Sequence, residues 1–247
     1  MSMNAAEARE LGERIAIHVE AGEMAEADRL LKPAISTRTK FEMLDRVGAI
    51  IGIQPLAAVN KFLDYAAATQ TQGVWVIIGS ALGKQLDRDM EGAFERCRSF
   101  IKAADVWYGT DIMGERVPGP ALVDFFEPAL DLLLVWRMDP NRWVRRALGV
   151  SAHFWAKRSQ GAPELAPQAQ SLLEALDPMF DEWDMDAVKG VGWGLKTLGK
   201  HYPELMVEWM SQQVISNQRR HRKLMMRKAL THVSEEQRIR ALRGRSG

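Results

Sequence analysis

The chain is poor in the residues from which disulfide-bonded, metal-clustered or strand-rich proteins are built. It has a single cysteine, Cys97, among 247 residues. That excludes an internal disulfide and any site made of several thiolates, and it fits a reducing compartment. No Asn-Gly or Asp-Gly pair occurs, so the commonest hairpin turns have no signal, and alternating β-branched runs are rare. Long apolar runs are missing too. A stretch such as ALDLLLVW is far shorter than the roughly 20 residues a bilayer span needs. The N-terminal MSMNAAEARELGER is acidic and has no apolar core, so no secretory leader is expected. There is no Walker-type phosphate loop and no H-E-x-x-H. The histidines His18, His153, His201, His221 and His232 show no ligand spacing. Neither a metal nor any other cofactor is expected, and the chain reads as a soluble cytoplasmic monomer with no membrane partner.

What is there suffices for a sizeable core. Hydrophobic residues make up 47% and charged residues 26%, ordinary values for a globular domain, and residues 1–247 read as one domain. Net charge is only +1, which argues against a general nucleic-acid binder. Its distribution is uneven. Residues 1–30 hold seven acids and three basic residues, whereas 211–247 hold ten Lys+Arg and two acids. This asymmetry points either to an anionic partner on one side or to a basic tail frayed beyond about 234.

Helical spacing recurs throughout and predicts an all-α chain. Helices are expected near 5–20, 23–32, 37–50, 55–68, 71–86, 88–103 and 105–113. Others are expected near 119–137, 140–158, 164–176, 184–199, 203–215, 217–231 and 234–243. In MDPNRWVRRA, Asp139 is the expected N-cap and Pro140 the first helical residue. Asp181 or Asp184 opens the helix near 184, and Pro203 opens another. KRSQGAPELAP at 157–167 is the one loop of note. Short paired helices with brief connections suggest degenerate HEAT-like repeats of roughly 40–47 residues, a solenoid with a concave basic groove.

Three stretches bear on function. The first is KGVGWGLKTLGK, residues 189–200. Its three closely spaced glycines raise the question of a phosphate loop, but no strand precedes them and the apolar period runs through them. On a helix at about 100° per residue, Val188, Val191, Leu195 and Leu198 form the core stripe. Lys189, Trp193, Lys196 and Lys200 lie nearly opposite. Gly190 and Gly194 occupy one flank, Gly192 and Gly199 the other. Each glycine costs about 1 kcal/mol against alanine, and together they thin the helix so that a protein or nucleic-acid backbone can approach. Trp193 either packs on a neighbouring helix or lies idle on the surface, which the wheel alone favours, or it faces a ligand.

The second is the helix near 140–158. Val144, Ala147, Leu148, Ser151 and Trp155 make its core side, and Arg142, Arg146, His153 and Lys157 the opposite side. Two such stripes on consecutive helices suggest a phosphate-backbone partner more than one does. The third is VWYGTD, where Trp107 and Asp111 are four apart and share a helical face. An indole beside a carboxylate suits a cationic or cation-developing ligand; a solvated acid near a helix start is the plainer alternative. Trp107 to Arg146 is 39 residues and Arg146 to Trp193 is 47. Each is about one helix-pair period, which expects all three on one concave face.

The ordered set resembles the AlkD-like DNA alkylation repair glycosylases, built of HEAT-like repeats. Trp107 and Asp111 match the family's W-x-x-x-D. WVRRA matches its W-x-x-R-A with Arg146 in place. KGVGWGL matches K-x-x-G-W-x-L with Trp193, and MRKALTHV resembles R-E-A-x-K-H-I with Arg227 and His232. The likeness is strongest from about 100 to 235. Earlier, AISTRTKFEML resembles G-I-x-T-P-E-R-R. Ile35 and Thr37 agree, Lys40 takes the first arginine's place and Phe41 the second's, and Ala25 replaces a tyrosine. Lys196 stands for a family arginine, keeping charge but losing the bidentate fork.

The resemblance implies a DNA glycosylase that hydrolyses the N-glycosidic bond of cationic N3- or N7-alkylated purines in double-stranded DNA, in base excision repair. It implies Asp111, Trp107 and Trp193 as catalytic residues. Arg146 would hold phosphate, with Arg142, Lys157, Lys189, Lys196, Lys200, Thr37, Lys40 and Arg227 as further DNA contacts. Association with the nucleoid would follow. A catalytically silent HEAT-like module that binds DNA or RNA structures is the alternative, and a protein scaffold a third.

Overall fold

The structure, a computed structural model, describes residues 3–213 and 221–243. The expected helices ending at 215 and starting at 217 therefore have ends outside the described residues. Among those residues the chain is all-α, with no strand, as the missing hairpin signals predict. Its contacts divide it into two compact units, Met1–Val117 and Pro118–Gly247.

Unit 1 contains α1 (Ala5–Glu20), α2 (Met24–Ser36), α3 (Phe41–Gly52), α4 (Leu56–Ala67), α5 (Gln72–Gly83), α6 (Met90–Ala104) and α7 (Trp107–Arg116). The odd-numbered helices α1, α3, α5 and α7 pack side by side in order, and α2, α4 and α6 back them. Close approach within this row is set by small residues. A Cβ on Gly48 or Gly52 would lie 2.6 Å from the Ile77 carbonyl oxygen or 2.4 Å from that of Ala81 on α5, so only glycine lets α3 and α5 pack this tightly. Arg116 ties three helices together. Its guanidinium reaches Asp45 at 2.6 and 3.1 Å, and Ser80 donates to the same carboxylate.

Unit 2 contains α8 (Pro118–Asp124), α9 (Phe126–Trp136), α10 (Arg142–Ser159), α11 (Ala166–Leu176), α12 (Met185–His201), α13 (Pro203–Gln212), α14 (Arg222–Ala229) and α15 (Glu235–Leu242). Here α8, α10, α12 and α14 form the row, backed by α9, α11 and α13, with α15 on α13. The single helix expected at 119–137 is two, broken where Phe125 leaves helical geometry at φ −143°, ψ 57°. The cap of α10 is Asn141, not Asp139. The Asn141 side chain accepts from the Trp143 and Val144 amides, while buried Asp139 accepts from the Asn141 amide. Asp184 caps α12 and Pro203 opens α13. The tail expected to fray forms α15 as far as Leu242. A capping box at Ser234 starts it, and Gln237 and Arg240 bind Glu204 on α13.

Candidate functional site

In unit 1, α7 begins at Trp107. The preceding Asp105 turns the chain with a left-handed φ of 44°, and Val106 supplies no side-chain cap. The indole at this helix start is exposed, at 56%, with Tyr108 edge-on at 5.7 Å. One turn on, Asp111 is half-buried. Gly109 and Thr110 between them are buried against the body of the unit, which fixes the face that α7 turns outward.

The N-terminal candidates lie at the α2–α3 connection. Thr37 closes α2, its hydroxyl donating to the Pro33 carbonyl at 3.0 Å, and Lys40 precedes α3, exposed. Both line a cavity of about 550 Å³ with Arg38, Thr39 and Gln72. Phe41 has a structural task of its own: the Arg116 guanidinium lies 5.7 Å from its ring. Ala25 is exposed on α2.

In unit 2 the seam between α10 and α12 positions everything else. A Cβ on Gly149 would sit 2.3 Å from the Gly190 carbonyl oxygen, one on Gly190 2.5 Å from that of Arg146, and one on Gly194 2.6 Å from that of Gly149. The backbones touch. The other flank of α12 meets α14, where a Cβ on Gly199 would be 2.3 Å from the Ala229 carbonyl oxygen. The glycines around Trp193 therefore admit protein backbone on both sides. The core stripe is as expected: Val188, Val191, Leu195 and Leu198 are all at most 1% exposed, each worth about 1.5–3 kcal/mol of burial.

The tight seam changes the reading of α10. From Trp143 to His153 the helix is buried all round, so its basic side is not a continuous solvated stripe. Arg142 and Lys157 are exposed at its ends, but Arg146 is 6% exposed and His153 9%. Arg146 donates to the Asp186 carbonyl at 2.9 Å, and Arg142 pairs with the Asp186 carboxylate at 3.4 Å. Lys189 lies 3.8 Å from the same carboxylate. Arg145, which the sequence did not single out, builds the start of α12. It grips Glu182 at 2.6 and 3.2 Å and donates to the Asp139 and Pro140 carbonyls. Glu182 in turn accepts the Trp183 and Asp184 amides.

Trp193 is half-buried and stacked on His153, ring centroids 3.8 Å apart and planes at 24°. Burial first, then Lys157 and His201, pushes the His153 imidazole down to about 4. It is neutral at pH 7, not a member of a cationic stripe. Lys196 is half-buried and Lys200 exposed on the same side of α12. Positive charge gathers there. The imidazole of His232 is lowered by burial and then by Lys196 and Lys200, and that of His201 by burial and then by Lys200. Arg227 is exposed on α14. Sequence reasoning put His153 in a cationic stripe and passed over Thr197; the two residues beside Trp193 are 44 positions apart. That interval is itself one helix-pair period and was the available signal.

A model of the family described as DNA alkylation repair enzyme matches residues 76–233, more than half of the chain. The chain belongs to the DNA alkylation repair enzyme family. The match contains Trp107, Asp111, Arg146 and Trp193. Among solved structures, the chain is similar to Pseudomonas fluorescens alkylpurine DNA glycosylase AlkC bound to DNA containing an abasic site analog. The TM-score is 0.60 and the identity 17%, covering 95% of this chain and 65% of that one. This likeness bears on the fold, which is an all-α helical repeat. The chain spans less than two thirds of that protein's length. No curated protein matches it significantly.

Proposed function

We propose that this family member is a DNA glycosylase that releases cationic N3- or N7-alkylated purines from double-stranded DNA. The observation that carries the reading is the face of α7, where the exposed Trp107 indole sits one turn from the Asp111 carboxylate, inside the segment that the family model matches. The structural similarity to AlkC, an alkylpurine DNA glycosylase bound to DNA containing an abasic site analog, supports it at the level of fold.

The chemistry requires little. An alkylated purine already carries positive charge and leaves as a neutral base, so the general acid of ordinary glycosidases is dispensable. What remains is an oxocarbenium-like deoxyribose that must be stabilised and hydrated. Asp111 supplies negative charge to that cation and a hydrogen-bond acceptor for the attacking water. The Trp107 and Trp193 rings attract positive charge through their π faces. Arg146 offers phosphate only the small edge its burial leaves, its guanidinium being committed in part to the Asp186 carbonyl. The exposed Lys157, Lys189 and Lys200, the half-buried Lys196, and Thr37, Lys40, Arg142 and Arg227 contact the DNA backbone. The reading calls for no cofactor and takes the protein as a cytoplasmic monomer.

The test is release of 7-methylguanine from methylated duplex DNA. Wild type is expected to release it, and Asp111→Asn to lose at least about 100-fold in single-turnover rate while binding DNA within about threefold of wild type. DNA binding without base release by wild type would replace this reading with that of a silent DNA-binding module.

A further inference from the structure

A tryptophan on a helix is normally held by side chains three and four residues away. At Trp193 one of those positions is Gly190, which offers no side chain, and its chain neighbours Gly192 and Gly194 offer none either. The wall comes instead from the neighbouring helix. The His153 imidazole covers one face of the indole at a centroid separation of 3.8 Å. His153 is itself held: its Nδ1 lies 2.7 Å from the Thr197 hydroxyl oxygen. The Thr197 hydroxyl donates its single proton to the Trp193 carbonyl at 3.1 Å. A hydroxyl so committed can only accept from the histidine, so Nδ1 carries the imidazole hydrogen. Threonine, histidine and indole thus form a closed loop spanning α10 and α12.

We propose that His153 is a positioning residue for Trp193: its ring closes one face of the indole, fixes the ring's orientation and leaves only the other face for substrate. The proposal rests on the reading of Trp193 as a substrate-contacting residue. A neutral imidazole suits the task. It stacks through dispersion without placing a positive charge against the indole π system, which stays available to a cationic base or sugar. An alkyl side chain would fill the space but would not define the ring plane.

The test uses the full chain labelled with 5-fluorotryptophan, the Trp193 signal being assigned by its disappearance in Trp193→Phe. It is read in wild type, His153→Ala, His153→Phe and Thr197→Val. In parallel, kcat and KM are measured for 7-methylguanine release from methylated duplex, with melting temperatures as the folding control. His153→Ala is expected to broaden or shift the Trp193 signal and to lower kcat about tenfold, with KM changed less than twofold. That is the loss expected when a reacting partner is misplaced by a fraction of an ångström. His153→Phe, which keeps a stacking ring, is expected to recover both to within about threefold, and Thr197→Val to fall between. An unchanged Trp193 signal in His153→Ala overturns the proposal. So does a loosened ring with unchanged kcat. A wild type that releases no base sinks the glycosylase reading instead. The proposal is then decided by the fluorine signal alone: broadening or shift in His153→Ala and recovery in His153→Phe uphold it, and no change overturns it.

Discussion

A buried imidazole resists protonation, and the fold's stability carries the mark of that resistance. The ordinary histidine value is 6.5, and in the folded chain His153 is pushed down to about 4, by burial first and by Lys157 and His201 after it. Between these values the unfolded chain binds a proton that the folded chain refuses. The contribution is therefore fully present above pH 6.5 and is lost progressively as pH falls toward 4. His201 and His232 are lowered as well and act with the same sign. In His153→Phe the drop in urea midpoint between pH 7 and pH 4.5 should be smaller than in wild type, since all other titrating groups are common to both. Equal drops would show that His153 takes up its proton freely in the fold. The sequence placed His153 among cations because a helical wheel knows only one helix. The ring's neighbours come from α12, 44 residues away, and its charge depends on them. Trp107 and Asp111 were easier to place, since their relation is local: four residues on one helix fix it.

At the scale of the element, the period of apolar residues was enough to find nearly every helix, and α1 matches its expected limits residue for residue. What periodicity could not show was which side of a helix is covered by another backbone. On α12 the two glycine flanks were legible, but not their partners: α10 receives Gly190 and Gly194, and α14 receives Gly199. The glycines therefore differ in what they tolerate. A methyl group at Gly190 would lie 2.5 Å from the Arg146 carbonyl oxygen, whereas one at Gly192 meets nothing nearer than the flexible Lys228 side chain at 3.4 Å. Gly190→Ala should lose about 2–3 kcal/mol through overpacking. Gly192→Ala should gain up to about 1 kcal/mol from helix propensity. Urea unfolding of the pair checks both signs, and a stable Gly190→Ala would mean that the seam yields. The break at Phe125 was missed for a related reason: the apolar pattern of 119–137 continues across it, and α8 packs against α10, a helix the local pattern does not contain.

For the whole molecule, net charge was the least informative number and its distribution the most. A chain at +1 binds DNA only where basic side chains outnumber acids locally, and in unit 2 Lys196 and Lys200 lie near enough to His201 and His232 to add to the lowering that burial gives both imidazoles. If this cluster meets phosphates, binding is salt-dependent through counterion release. Lys196→Gln and Lys200→Gln should each lower the slope of log K against log salt by about 1, measured on an undamaged duplex by fluorescence anisotropy from 50 to 200 mM salt. A slope unchanged in the double variant would place the phosphate contacts elsewhere. The glycine seam has a consequence at this scale too. Side chains between helices act as compliant padding, and where Gly149, Gly190 and Gly194 meet the facing helix the α10–α12 contact is backbone against backbone. Neither helix can slide or tilt alone without one backbone striking the other, so the two should open only as a pair. Their amides, from Trp143 to Ala156 and from Val188 to Leu198, are then expected to exchange with deuterium at one common free energy, as a single plate.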